Sequence, residues 1–180
     1  MKKMSILILL ACLSIFSYSQ NDDWQAKRVT ARQNQNESNS WYNFRKEIEI
    51  ESVPDKALAR IACDSKYWLW INGEMAIFEG QLKRGPTPED TYYDEINIAR
   101  YLKKGKNTIA VLVWYFGKDS FSHKSSGQAG LVFQCDAIDL VSDGSWRAQL
   151  DRAFISTGPP NPNYRLPESN IKFDARTGDF

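Results

Sequence analysis

Two tryptophans spaced by two residues, Trp68 and Trp70 in "KYWLWINGE" (66–74), are the side chains best suited to hold a ligand. Successive strand side chains point to opposite faces, so Trp68 and Trp70 share one face while Tyr67, Leu69 and Ile71 share the other. An indole is large, rigid and cheap to order, and it stacks on the C–H groups of a sugar ring. The same ring under protein contributes roughly several kcal/mol at about 25 cal/mol per Å². Packing, against this domain or a partner, is the reading the strand favours; a carbohydrate platform is the alternative. Trp114 and Phe116 end another apolar strand beside Gly117 and form a second candidate carbohydrate rim. Trp41 and Trp146 read as core or edge packers.

Other chemistry is sparse. His123 is the single histidine, in the polar loop "SFSHKSSG". It offers no His-based metal site and no redundant Ser-His-Asp arrangement, and it reads as a loop contact or a solvated side chain. Glu89, Asp90, Asp94 and Glu95 crowd one stretch; hard oxygens suit calcium or sugar hydroxyls, but solvated charges are the expectation. Cys63 and Cys135 both fall on the apolar parity of strand-like runs. They read as buried free thiols, with a disulfide left open because an exported chain meets an oxidising compartment. Two cysteines do not make a zinc site. No catalytic residue and no metal ligand is assigned.

The elements that position these residues follow from patterning. With 180 residues, 42% of them hydrophobic, the chain can bury one domain's core. Its 23 basic residues nearly cancel 22 acidic ones and form no basic block, which argues against nucleic acid as a partner. Residues 1–19 read as a cleaved signal peptide: Lys2 and Lys3, an apolar run from Ile6 to Phe16, then Ser17-Tyr18-Ser19. That run is too short to span a membrane. "LLAC" at Cys12 suits a lipoprotein less well, because the apolar run continues beyond it. The mature chain is therefore expected to be periplasmic or secreted.

Residues 20–40 are polar. From Trp41 the pattern turns to period two: in "WYNFRKEIEIE", Tyr42, Phe44, Ile48 and Ile50 share a face, with Lys46 the single offence. "ALARIACD" alternates again, "YWLWI" follows, and Asn72-Gly73 predicts a two-residue type I′ hairpin. "EMAIFEG" returns, "QLKRGPTPED" is a loop, and "TYYDEINIARYL" is a strand running into a short turn. "KKGKN" turns into "TIAVLVWYFG", apolar on both parities and therefore central. "AGLVFQCDAIDL" is read as a further strand and "SDGSW" as a turn. "RAQLDRAFIS" is ambiguous, and residues 156–180 are loop-rich. No amphipathic helix of three turns appears, so the chain is predicted to be all-β, an antiparallel β-sandwich over 41–155.

Several of these pieces resemble the N-terminal β-sandwich of bacterial α-L-rhamnosidases of glycoside hydrolase family 78, and more distantly the sugar-binding sandwiches of family 2 glycosidases. They are Asn72-Gly73, Tyr92 to Asn97, Leu102 with Gly105 to Asn107, Ile109 to Gly117, and "SDGSW" followed by "FDAR" at 173–176. The resemblance covers 41–180. It implies a jelly-roll-like, galactose-binding-domain-like sandwich whose exit segment, 156–180, leads toward an (α/α)6 catalytic domain. It also implies rhamnose-containing glycan as a partner. Hydrolysis is then not expected from this chain alone. The resemblance further implies calcium in related rhamnose-binding modules, without placing its ligands here. An independent carbohydrate-binding module is the alternative function.

Overall fold

The computed structural model describes residues 24–31, 37–82, 92–120, 123–158 and 168–178. The expected signal peptide and most of the proline-rich stretches lie outside them. Among the described residues no helix is long and apolar enough to cross a membrane.

The alternating segments form antiparallel strands packed as two sheets. Strand β1 is Ser40–Ile50, β2 Leu58–Asp64, β3 Lys66–Ile71 and β4 Glu74–Gln81. Strand β5 is Asp94–Asn97, β6 Gly105–Tyr115, β7 Gly130–Cys135 and β8 Leu140–Val141. Strand β9 is Arg147–Asp151, β10 Phe154–Ser156 and β11 Ile171–Phe173. The larger sheet runs β4-β3-β6-β1-β9 and the smaller β5-β2-β7-β8. The doubly apolar "TIAVLVWY" run lies at the centre of the larger sheet, as its composition requires.

The core is the space between the sheets. Tyr42, Phe44, Leu69 and Val111 of the larger sheet meet Ile61 and Phe133 of the smaller one, all fully or almost fully buried. Lys46, the one charged residue on that parity of β1, escapes by reaching Ser145 Oγ at 2.5 Å.

Two short motifs turn out to be one structural unit. Asn72 and Gly73 take φ of 54° and 84°, the positive values a type I′ turn demands. The Asn72 side chain then accepts from Thr108 N and donates to Asn107 Oδ1. Asn107, itself buried, accepts from Lys103 N and donates to the carbonyls of Lys103 and Gly105. The hairpin and the Gly-x-Asn turn thus close one end of the sandwich together.

Three expectations change. The run after Cys135 does not continue as a strand: Asp136–Ile138 form a 3-10 turn, Asp139 takes φ 48°, and β8 folds back onto β7. "RAQLD" becomes the edge strand β9 against β1. The terminal region is not all loop, because β10 and β11 pair as a small sheet. Strands of two to five residues are too short for their period to show. The polar lead-in also gains a role, since Val29 bridges Leu131 on the edge of β7 and the amides of Gln25 and Ala26 donate to Gln134.

Candidate functional site: the outer face of the larger sheet

The face of the larger sheet that turns away from the core carries three cross-strand rows. The first is Lys66, Trp114, Trp41 and Asp151; the second Trp68, Leu112, Asn43 and Gln149; the third Trp70, Ala110, Arg45 and Arg147. The parity expected for Trp68 and Trp70 holds, with Tyr67, Leu69 and Ile71 fully buried on the inner side.

The first row is closed. Trp41 stacks on Trp114 with centroids 5.0 Å apart and 22° between planes, and on Phe154 at 5.7 Å. Phe116 meets Trp114 edge-on, and Lys66 Nζ sits 5.5 Å above the Trp114 ring while pairing with Glu168 at 3.4 Å. Trp114 is 6% and Phe116 0% exposed. The expectation that these two form a ligand rim is therefore corrected: Trp41 and Lys66 cover Trp114, His123 and Lys66 flank Phe116, and Phe154 of β10, whose place the sequence did not reveal, caps the stack on Trp41. Trp41 and Trp146 are buried packers as read.

The second and third rows stay partly open. Trp68 is half-buried and meets the exposed Phe78 ring edge-on at 6.3 Å. Trp70 is half-buried as well and stands beside a cavity of about 500 Å³. That groove is floored by Ala110 and Leu112, edged by Arg45, and bounded by Phe154 and the exposed Phe173. Its polar end is already engaged: Asn43 Nδ2 donates to Asp151 Oδ2 at 2.8 Å, and Ala153 N donates to Oδ1 at 2.8 Å. The groove offers an aromatic shelf, an aliphatic floor and a guanidinium at the rim, which is chemistry for binding.

A second cluster escaped the sequence reading. Asp64, Ser65 and His123 come together in the interior, joining the end of β2 and the start of β3 to the loop around His123. Ser65 Oγ donates to Asp64 Oδ1 at 2.5 Å and accepts from Phe116 N at 3.2 Å. The proton of His123 Nε2 is then shared between Ser65 Oγ at 3.0 Å and Asp64 Oδ1 at 3.2 Å. A nucleophilic triad needs the two imidazole nitrogens to face serine and aspartate separately. Here one nitrogen serves both, and all three residues are buried. Ser126 N and Oγ and Ser125 Oγ complete the shell of Asp64. Burial would raise the carboxyl's pKa, yet the bonds from His123, Ser65 and Ser126 hold it below the ordinary range. The cluster is a latch. Sequence could not have found it, because Ser65 and His123 lie 58 positions apart.

The remaining expectations resolve simply. The disulfide left open does not form: Cys63 pairs in register with Leu131, and Cys135 lies four residues further along β7, roughly 13 Å away at about 3.3 Å per residue. Both thiols are free and buried; burial pushes the Cys135 thiol up to about 11 and Cys63 well above its usual value. Asp94 accepts from Tyr67 Oη at 3.0 Å and Gln81 N at 2.6 Å, Glu95 lies exposed on β5, and Glu89 and Asp90 lie outside the described residues.

Comparison with solved structures gives the fold its context. A GH78 family rhamnosidase of Bacillus sp. GL1 superposes with a TM-score of 0.71 at 29% identity, covering 86% of this chain and 16% of that one. The structural neighbours include further α-L-rhamnosidases. The α-L-rhamnosidases of Aspergillus terreus and Dictyoglumus thermophilum both reach a TM-score of 0.55 at 19% and 18% identity. They cover 73% and 88% of this chain and 17% and 22% of their own, and they show the fold alone. No protein-family model matches the sequence, and no curated protein matches it. The chain thus spans about a sixth of the rhamnosidase it matches best in identity among these three, as a domain of a larger protein would. The likeness supports a sugar-related β-sandwich.

Proposed function

We propose that this chain is the non-catalytic β-sandwich of an exported α-L-rhamnosidase-like glycoside hydrolase, bracing an (α/α)6 catalytic domain and meeting glycan at the outer face of its larger sheet. The observation that carries this reading is the likeness to the Bacillus rhamnosidase, which extends over most of this chain and a small share of that one. The carboxylates support it. Inverting glycoside hydrolysis needs two carboxyl groups about 6.5–9.5 Å apart around a sugar and a water. The buried carboxylates Asp64 and Asp151 are both engaged by protein donors instead.

The test is direct. The purified chain incubated with an aryl α-L-rhamnoside is expected to release no aryl alcohol above the buffer rate; turnover that disappears on substitution of one carboxylate would overturn the proposal. A second reading, an independent carbohydrate-binding module, is favoured by the open groove at Trp70. Glycan binding by the isolated chain, lost in Trp70→Ala with the fold retained, would select it.

A further inference from the structure

We propose that the groove beside Trp70 is a subsite for an acidic sugar, a pyranose ring bearing a carboxylate within a glycan chain. The proposal rests on the sugar-related reading above and adds the charge of the ligand. Across four neighbouring strands the third row reads Trp70, Ala110, Arg45, Arg147. With strands about 4.8 Å apart, Trp70 and Arg45 stand roughly 10 Å apart at their Cα atoms, and only the Ala110 methyl lies between them. That gap accepts a sugar ring laid on the floor, with its apolar face toward the indole.

The charge follows from the far side of the gap. Arg45 and Arg147 occupy directly opposed positions on β1 and β9, a like-charge pair that a sheet disfavours. A local conflict that the fold keeps is the mark of a functional position. The Arg45 guanidinium donates to Glu47 at 2.6 Å with both side chains about half exposed, whereas exposed Arg147 has no ion-pair partner among the described residues. A second hollow of about 200 Å³, lined by Arg45, Lys46, Glu47, Ser145 and Arg147, opens next to the groove and shares Arg45 with it. The charges around it are accounted for: Lys46 donates to Ser145, Ser145 N donates to Asp143, and Glu47 holds Arg45. Asp151 at the opposite end of the groove is satisfied by Asn43 and Ala153. What is left over is the Arg147 guanidinium, whose planar donors match a carboxylate; it stands one strand beyond Arg45, at the far end of the row that begins with the Trp70 shelf. Trp70 and Arg147 stand roughly 14 Å apart at their Cα atoms, and the long arginine side chain can bridge that distance to the carboxylate of a uronate ring seated against the indole.

The experiment titrates the purified chain with a linear galacturonate tetramer, read by calorimetry and tryptophan fluorescence at low salt. The fully methyl-esterified tetramer provides the neutral arm, and circular dichroism checks the fold of each variant. The acid tetramer is expected to bind with a fluorescence change that Trp70→Ala removes. Binding should weaken about tenfold in Arg147→Gln or on esterification, and fall with added salt. Failure of the acid tetramer to bind overturns the proposal, as does equal binding of the ester or indifference to Arg147→Gln. Concentration-dependent self-association through this face that excludes the tetramer overturns it too. Binding of a neutral rhamnose oligomer in preference to the uronate overturns the acidic assignment and leaves the rhamnosidase-like reading standing. Turnover of an aryl rhamnoside overturns that reading alone.

Discussion

The larger sheet has two apolar faces that meet different fates. On the inner side Tyr42, Phe44 and Leu69 are sealed against Ile61 and Phe133. On the outer side β10 and Lys66 seal Trp41 and Trp114, while Trp68 and Trp70 stay half open beside the exposed Met75 and Phe78. Both sides carry large apolar side chains, but the outer rows also hold Lys66, Asp151, Asn43, Gln149, Arg45 and Arg147, and there a second layer arrives only in part. An apolar surface of that kind, kept open in part and rimmed by arginines, marks a contact surface rather than a core.

Adjacent residues of one strand test this contrast most severely. Leu69→Ala is expected to destabilise the fold by about 2–5 kcal/mol, because it empties a fully buried site. Trp70→Ala, one position on and facing outward, should cost no more than about 1 kcal/mol. Urea unfolding of the two variants measures both, and equal losses would erase the distinction between the faces.

Next in size is the latch. Asp64→Asn is expected to cost about 1–3 kcal/mol, since it leaves donors from His123, Ser125 and Ser126 poorly matched. The pH dependence follows from the lowered carboxyl pKa. Asp64 contributes stability above its unfolded value and loses it as pH falls through the lower folded value. The gap in thermal midpoint between wild type and Asp64→Asn should therefore close in acid. A gap that widens there would show that the latch does not depend on an ionised Asp64.

Asn107→Ala should cost about 1–2 kcal/mol by unpinning the hairpin and the Gly-x-Asn turn together. The measurable sign is faster amide exchange at both Gly73 and Gly105. The smallest effect concerns the thiols. Cys63 and Cys135 should react with a disulfide reagent only at the rate of unfolding, because burial raises both pKa values and hides both sulfurs. Rapid labelling of either in the folded chain would contradict their place in the core.

Much of the fold was legible, for identifiable reasons. Tyr42, Phe44 and Ile50 alternate over eleven residues, long enough for period two to stand out, and Asn72-Gly73 carries its turn chemistry in two letters. The candidate site was only half legible. Arg45 lies on an eleven-residue strand, and Trp68 and Trp70 on a strand that the Asn72-Gly73 turn marks, but their partners Arg147 and Asp151 lie on a five-residue edge strand whose alternation is too brief to read. Trp114 and Phe116 misled for a related reason: the residues that cover them, Trp41, Lys66 and His123, lie on elements distant in the chain.

The amino-acid sequence by itself determined which residues share a strand face and where the chain must turn, because backbone geometry ties side-chain direction to position along the chain. It also set the neutral charge balance and the surplus of aromatic rings. Only the tertiary structure decided which apolar face is closed, which arginines stand opposed and which aspartate the single histidine is buried against. Those relations join residues tens of positions apart, and they exist only once strands distant in the chain lie side by side.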